Sequence, residues 1–121
     1  MIVLADTSVW IDYWRHGNRA FGQLLDNNRV VVHPFVLGEI ALGRIRFREE
    51  VLIHLATLDT PRVAEPSEVR TLIERALLWG RGIGWVDAHL LASALLERIP
   101  LWTLDRRLAG AAAELGVGQP G

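Results

Sequence analysis

A chain of 121 residues, 50% hydrophobic and 22% charged, is globular rather than disordered, and its length suits one domain around a single core. Its formal net charge is −1 and its 13 basic residues are all arginine, so the phosphate chemistries that require lysine (P-loop ATPases, haloacid-dehalogenase-type phosphatases, receiver domains) are excluded. The lack of cysteine removes disulfides, thiolate metal sites and a cysteine nucleophile, and fits a cytoplasmic protein. Apolar runs such as LLASALL fall short of a membrane span, and the first residues lack the basic and cleavable parts of a secretory signal.

Taken in order, IVLA (2–5) reads as a buried strand ending at Asp6, and TSVWIDYW (7–14) as a helix with Trp10 and Trp14 one turn apart on one face. RAFGQLLDNN (19–28) is a second helix closing on an Asn pair, and RVVVH (29–33) a second buried strand. Pro34 starts the helix PFVLGEIALGRI (34–45), and REEVLIHLATL (48–58) continues as helix. DTPRVAEP (59–66) is a turn with at most a brief strand around Val63. SEVRTLIERALLWG (67–80) begins at Ser67, with apolar residues at helical spacing: Val69, Leu72, Ile73, Ala76 and Leu77. RGIG (81–84) is a loop, WVDAHLLASALLER (85–98) a helix, IPLWTL (99–104) a strand and DRRLAGAAAEL (105–115) a last helix. Residues 116–121, GVGQPG, form a short edge strand or fray. The whole, 1–121, reads as one domain without repeats.

Strands that are apolar throughout and separated by helices predict a parallel sheet covered on both faces, with ligands at the carboxyl ends of the strands. Asp6 follows the first strand, Asp105 follows the third, and Asp87 lies at the start of the helix between them. N-capping alone accounts for each of these as well as chemistry does. Glu39 is harder to explain as a cap, because Phe35, Val36, Leu37, Ile40, Ala41 and Leu42 surround its helix on every side. The expectation is a buried carboxylate, which needs a partner or a metal. His89, Ser93 and Glu97 form a stripe opposite Asp87, so His89 reads as a surface or interface residue. His16, His33 and His54 share no ligand spacing, which disfavours zinc.

LADTSVWIDY, VLGEIALGR, WVDAHLLASALL and LWTLDRRL resemble the motif blocks of PIN-domain ribonucleases, above all the VapC-type toxins of toxin–antitoxin pairs. The resemblance spans nearly the whole chain and keeps the order and spacing of its acidic blocks. It implies a three-layer α/β/α sandwich with a short parallel sheet. It matches Asp6, Glu39, Asp87 and Asp105 to the family's acidic quartet and Thr103 to its hydroxyl before the last Asp, with Thr7 and Ser8 in support. It also implies an RNA substrate, a VapB-like antitoxin and a homodimer.

Like charges at about 5 Å repel by about 3 kcal/mol at an effective dielectric near 20, so such a cluster must keep protons or take up divalent cations. Oxygen donors without His or Cys suit Mg²⁺, with Mn²⁺ as a substitute. One or two such ions would activate water for phosphodiester hydrolysis. With the four carboxylates set aside as ligands, the remaining charge is +3, that is −1 plus 4. Arg44, Arg46, Arg48, Arg106 and Arg107 are then candidates for RNA phosphates. GRGIG follows a helix rather than a strand, so it is a hinge letting Asp87 approach rather than a dinucleotide loop. Trp10 and Trp14, beside Asp6, are candidates for the antitoxin's groove. The readings in order are a Mg²⁺-dependent endoribonuclease toxin, a PIN-like RNA-processing nuclease without antitoxin, and a catalytically silent binding module.

Overall fold

The computed structural model describes residues 1–119, and Pro120 and Gly121, which end the expected edge strand or tail, lie outside it. Among the described residues the order is β1 (Val3–Ala5), α1 (Thr7–His16), α2 (Arg19–Asp26), β2 (Val30–Val31), α3 (Pro34–Leu42), α4 (Arg48–Ala56), α5 (Pro66–Arg75), α6 (Trp85–Glu97), β3 (Leu101–Trp102) and α7 (Arg106–Glu114). The sheet is parallel with order β2-β1-β3. Val3 pairs with Val30 and Leu4 with Val31 on one side; Leu4 pairs with Leu101 and Ala5 with Trp102 on the other. Gly118 adds a parallel bridge to Leu101, so part of the expected edge pairing is present.

Every residue of β1 is buried, and successive side chains of a strand point to opposite faces, so both faces of the sheet are covered. This is the α/β architecture that the alternating pattern predicts. Helices take the caps their flanking residues offer. Asn18 accepts from the Phe21 amide at 3.0 Å, and His33 accepts from the Phe35 amide at 2.9 Å ahead of Pro34. The core holds Leu4, Trp10, Phe21, Ile40, Leu55, Leu90, Leu91, Leu101 and Leu108. Phe21 is its aromatic hub, edge-on to Trp10 at 4.9 Å, Tyr13 at 5.0 Å and Trp102 at 5.5 Å.

Three expectations need correction, while a fourth, a turn at 59–66 with at most a brief strand, stands. The helix begun at Pro34 stops at Leu42, and the Arg48 guanidinium donates to the Ala41 carbonyl at 2.7 and 3.0 Å, so the chain turns before α4 begins. No strand forms at Val63. Helix α5 begins at Pro66 rather than Ser67, because the Glu68 side chain reaches back to the Glu65 amide at 2.8 Å. His89 is buried, 1% exposed, not a surface residue. The stripe it shares with Ser93 and Glu97 is covered by the strand-less segment before α5. Ser93 Oγ donates to the Arg62 carbonyl at 2.5 Å, and Glu97 Oε1 accepts from the Arg62 amide at 3.1 Å. Orphan backbone groups of an irregular segment are thus satisfied by the polar stripe.

His33 is fully buried, with Nε2 lacking any partner among the described residues, and burial together with the nearby His89 lowers its pKa from 6.5 to about 4. The native state therefore binds this proton less readily than the unfolded chain does. The resulting stability is complete above the unfolded value and is lost as the pH falls from about 6.5 toward 4. His33→Asn keeps a capping side chain without the imidazole. Between pH 7 and 4.5 the wild type is expected to lose on the order of 2 kcal/mol more stability than this variant, measured by urea unfolding.

Candidate active site

Asp6 ends β1 and caps α1, its Oδ1 accepting from the Val9 amide at 3.2 Å. The same oxygen takes a 2.5 Å bond from Ser8 Oγ, and Oδ2 takes one from Thr103 Oγ1. Thr103 in turn accepts from the Asp105 amide at 3.0 Å, and Ser8 accepts from the Leu104 amide at 3.1 Å. Two hydroxyls therefore stitch the end of β1 to the loop between β3 and α7. Asp105 caps α7, with Oδ1 accepting from the amides of Arg107 at 2.8 Å and Leu108 at 3.2 Å.

Asp87 stands in the first turn of α6, where its Oδ2 accepts from the Gly84 amide at 3.1 Å. Burial pushes its carboxyl above the ordinary range; the Gly84 bond opposes this, and the charges of Asp6 and Asp105 push further in the same direction. The charges of Asp6 and Asp105 thus both reach Asp87. Glu39 joins them through its neighbour's neighbour: its Oε1 accepts from Thr7 Oγ1 at 2.7 Å, next to Asp6 in the chain.

Glu39 is exposed, which overturns its expected burial. Pro34, Phe35, Gly38 and Leu42 of α3 are exposed with it, so the helix is apolar all round without being covered all round. Glu39, Asp87 and Asp105 each spend one oxygen on a protein hydrogen bond, and the other has no hydrogen-bond partner among the described residues. Among those residues no three His, Asp or Glu side chains stand close enough to make a ready metal cage. The donors are nonetheless all carboxylate and hydroxyl oxygen, the set that hard divalent cations take.

The arginines divide. Arg44 and Arg46 line a hollow of about 260 Å³ with Ile11, Trp14, Arg15 and Ile45. Arg46 also lies 5.3 Å from the centre of the Phe47 ring, a cation–π contact. Arg106 is exposed, Arg48 is committed to Ala41, and the Arg107 side chain lies against Gly82. Trp14, half-buried, reaches the hollow; Trp10, 0% exposed, is core and gives no groove wall. The sequence reading overlooked Arg15 and Ile11, whose spacing of four puts them on one face of α1 beside Trp14.

The fold and the charge-coupled carboxylates define a class. The model of the PIN domain matches residues 3–114, and the chain belongs to the PIN-domain family. Within it the chain is 46% identical over 117 residues to Ribonuclease VapC32 of Mycobacterium tuberculosis, in strains CDC 1551 / Oshkosh and ATCC 25618 / H37Rv. That alignment covers 96% of this chain and 94% of the relative, so the chain is a PIN-domain protein of the VapC type. Among solved structures, the crystal structure of PAE2754 from Pyrobaculum aerophilum shares the fold with a TM-score of 0.61 at 18% identity, over 92% of this chain and 79% of that one.

An aspartate whose proton affinity is raised in the folded state destabilises the fold once it ionises. The cost is absent below the ordinary carboxylate range and grows as the pH rises through the elevated folded pKa. Asp87→Asn, which can still accept from the Gly84 amide, is therefore expected to melt at the same or a higher temperature than the metal-free wild type at pH 7. The gap should close near pH 4. A marked loss of melting temperature in calorimetry would make Asp87 chiefly a cap.

Proposed function

We propose that the chain is a Mg²⁺-dependent endoribonuclease, the toxin of a toxin–antitoxin pair, with Asp6, Glu39, Asp87 and Asp105 as its acidic site. The observation that carries this reading is the placement of Asp6 and Asp105 at the carboxyl ends of β1 and β3, joined through Thr103 and Ser8, with Asp87 in the first turn of α6 within reach of their charge. Membership of the PIN-domain family, and a relative named a ribonuclease at 46% identity, support it.

A divalent cation held by these carboxylates, Mg²⁺ or Mn²⁺ in its place, would acidify a bound water and offset charge on the phosphate. The chain's own part is positional. Thr103 and Ser8 fix both oxygens of Asp6, and the capping bonds fix Asp87 and Asp105 by one oxygen each, leaving the second for a ligand. Asp87 holds its proton more tightly than an ordinary aspartate and gives it up when positive charge arrives. Arg44, Arg46 and Arg106 offer guanidinium groups to the RNA backbone. Hydrolysis adds water across the phosphodiester and breaks one P–O bond.

The partners in this reading are RNA, a VapB-like antitoxin and a second copy of the chain. Large exposed apolar residues support interfaces of that kind: Leu77 is 61% and Trp79 60% exposed. No helix among the described residues is long and apolar enough to cross a membrane, and the proposed site of action is the cytoplasm.

Purified protein should cut single-stranded RNA with Mg²⁺ or Mn²⁺, stop on addition of EDTA, and lose cleavage by at least about 10²-fold in Asp6→Asn or Asp87→Asn. Cleavage that survives chelation would discard the acidic mechanism. Expression alone should arrest growth, with relief from the adjacent small gene. A harmless gene whose product still cuts RNA would favour the processing-nuclease reading. Trp14→Ala should weaken antitoxin binding by about 10-fold or more in calorimetry while leaving cleavage within a few-fold, as expected of a half-buried aromatic anchor.

A further inference from the structure

Helix α6 brings Asp87 and α7 brings Asp105, yet no hydrogen bond links the two helices directly among those found between the described residues. What relates them is the loop that precedes α6. At Gly82, φ is +75°, a region that favours glycine, and a Cβ built there would lie 2.6 Å from Arg107 Nη1, 2.8 Å from Cδ and 3.1 Å from Cζ. The Arg107 side chain therefore lies directly on the loop backbone, in space that only glycine leaves open. One residue earlier, Arg81 Nη2 is ion-paired to Glu114 Oε2 at the far end of α7. Residues 107 and 114 are about 10 Å apart along a helix, so the loop is tied to α7 at both ends.

The contact of Arg107 with Gly82 is continuous with an acidic residue on either side. The Arg107 amide donates to Asp105 Oδ1, and two residues beyond Gly82 the Gly84 amide donates to Asp87 Oδ2. We propose that Arg107 is a positioning residue: by packing on Gly82 it latches the 80–84 loop to α7 and sets Asp87 against Asp105. This differs from the phosphate-binding role that its place beside Asp105 first brings to mind. A phosphate contact depends on the positive charge. A latch depends on the stem and the glycine beneath it. The functional consequence rests on the acidic-site reading above; the latch itself is a property of the fold.

The test uses the full chain as wild type, Arg107→Ala, Arg107→Met and Gly82→Ala. Met keeps the length of the stem and discards the charge. With metal absent, amide hydrogen exchange at Gly84 is expected to be about 10-fold faster in Arg107→Ala, as for a local opening, and near wild type in Arg107→Met. Mn²⁺ affinity by calorimetry should fall about 10-fold in Arg107→Ala, in the range seen when a supporting contact behind a ligand is lost. RNA cleavage should lose kcat with little change in KM, and Arg107→Met should recover most of it. Gly82→Ala should show the same pattern as Arg107→Ala, and the double variant should be less than additive. The proposal is overturned if Gly84 exchange and Mn²⁺ affinity are unchanged in Arg107→Ala while KM rises, with Arg107→Met no better than Ala; that result assigns Arg107 to phosphate. A wild type that binds no Mn²⁺ would defeat the metal reading alone, since Gly84 exchange still decides the latch.

Discussion

Like charge brought to one place is the constraint around which this small protein is arranged. Asp6, Asp87 and Asp105 come from three separate stretches of chain, and the charges of Asp6 and Asp105 add to burial in raising the cost of ionising Asp87. The fold meets that cost with backbone amides rather than with basic side chains. All three carboxylates accept from amides in the first turn of a helix, where the peptide dipoles present partial positive charge. An arginine placed among them would have neutralised the cluster and closed it to cations; amides hold it open.

Hydroxyls carry the second part of that arrangement. Thr103 and Ser8 each donate to Asp6 and each accept an amide from the β3–α7 loop. The strands themselves are two or three residues long and contribute little pairing beyond Leu4 and Ala5. The position of Asp105 relative to Asp6 is thus set by side chains as much as by the sheet. Burial of Val3, Leu4, Trp10, Phe21 and Leu101 beneath them supplies the rigidity that so short a sheet cannot.

Much of this could be read from the chain before any coordinates. Strands without alternation announce a sheet covered on both sides, and aspartates at helix starts announce N-caps, which Asp6 and Asp105 are; Asp87 instead stands inside the first turn of α6 and accepts from the Gly84 amide at its N-cap. The hydrogen bonds at Asp87 and Asp105 each use one carboxylate oxygen and leave the other without a protein partner among the described residues. Glu39 was misjudged because helical periodicity reports which residues are apolar, not which neighbours arrive to cover them; the Phe35–Leu42 face of α3 is left open. Trp10 and His89 failed for the converse reason. Both lie on faces that looked available locally: Trp10 is covered by Phe21 of α2, and His89 by Phe35 of α3 and Trp85 of its own helix. The contact of Arg107 with Gly82 joins residues 25 apart and leaves no periodic trace in the sequence; only the glycine-rich spacing hinted that something lay close to that backbone.

The missing lysines, first noticed as an exclusion, also shape how the chain responds to alkali. With all thirteen basic side chains arginine, the chain's positive charge rests on guanidinium groups, which are not deprotonated in proteins. Of the side-chain types that titrate between neutrality and about pH 10, namely Cys, Lys and Tyr, the chain holds a single tyrosine, packed edge-on to Phe21. Besides that tyrosine and the terminal amine, the sequence holds no cysteine or lysine to add to them. Charge-dependent behaviour of the chain above neutrality therefore rests on very few groups.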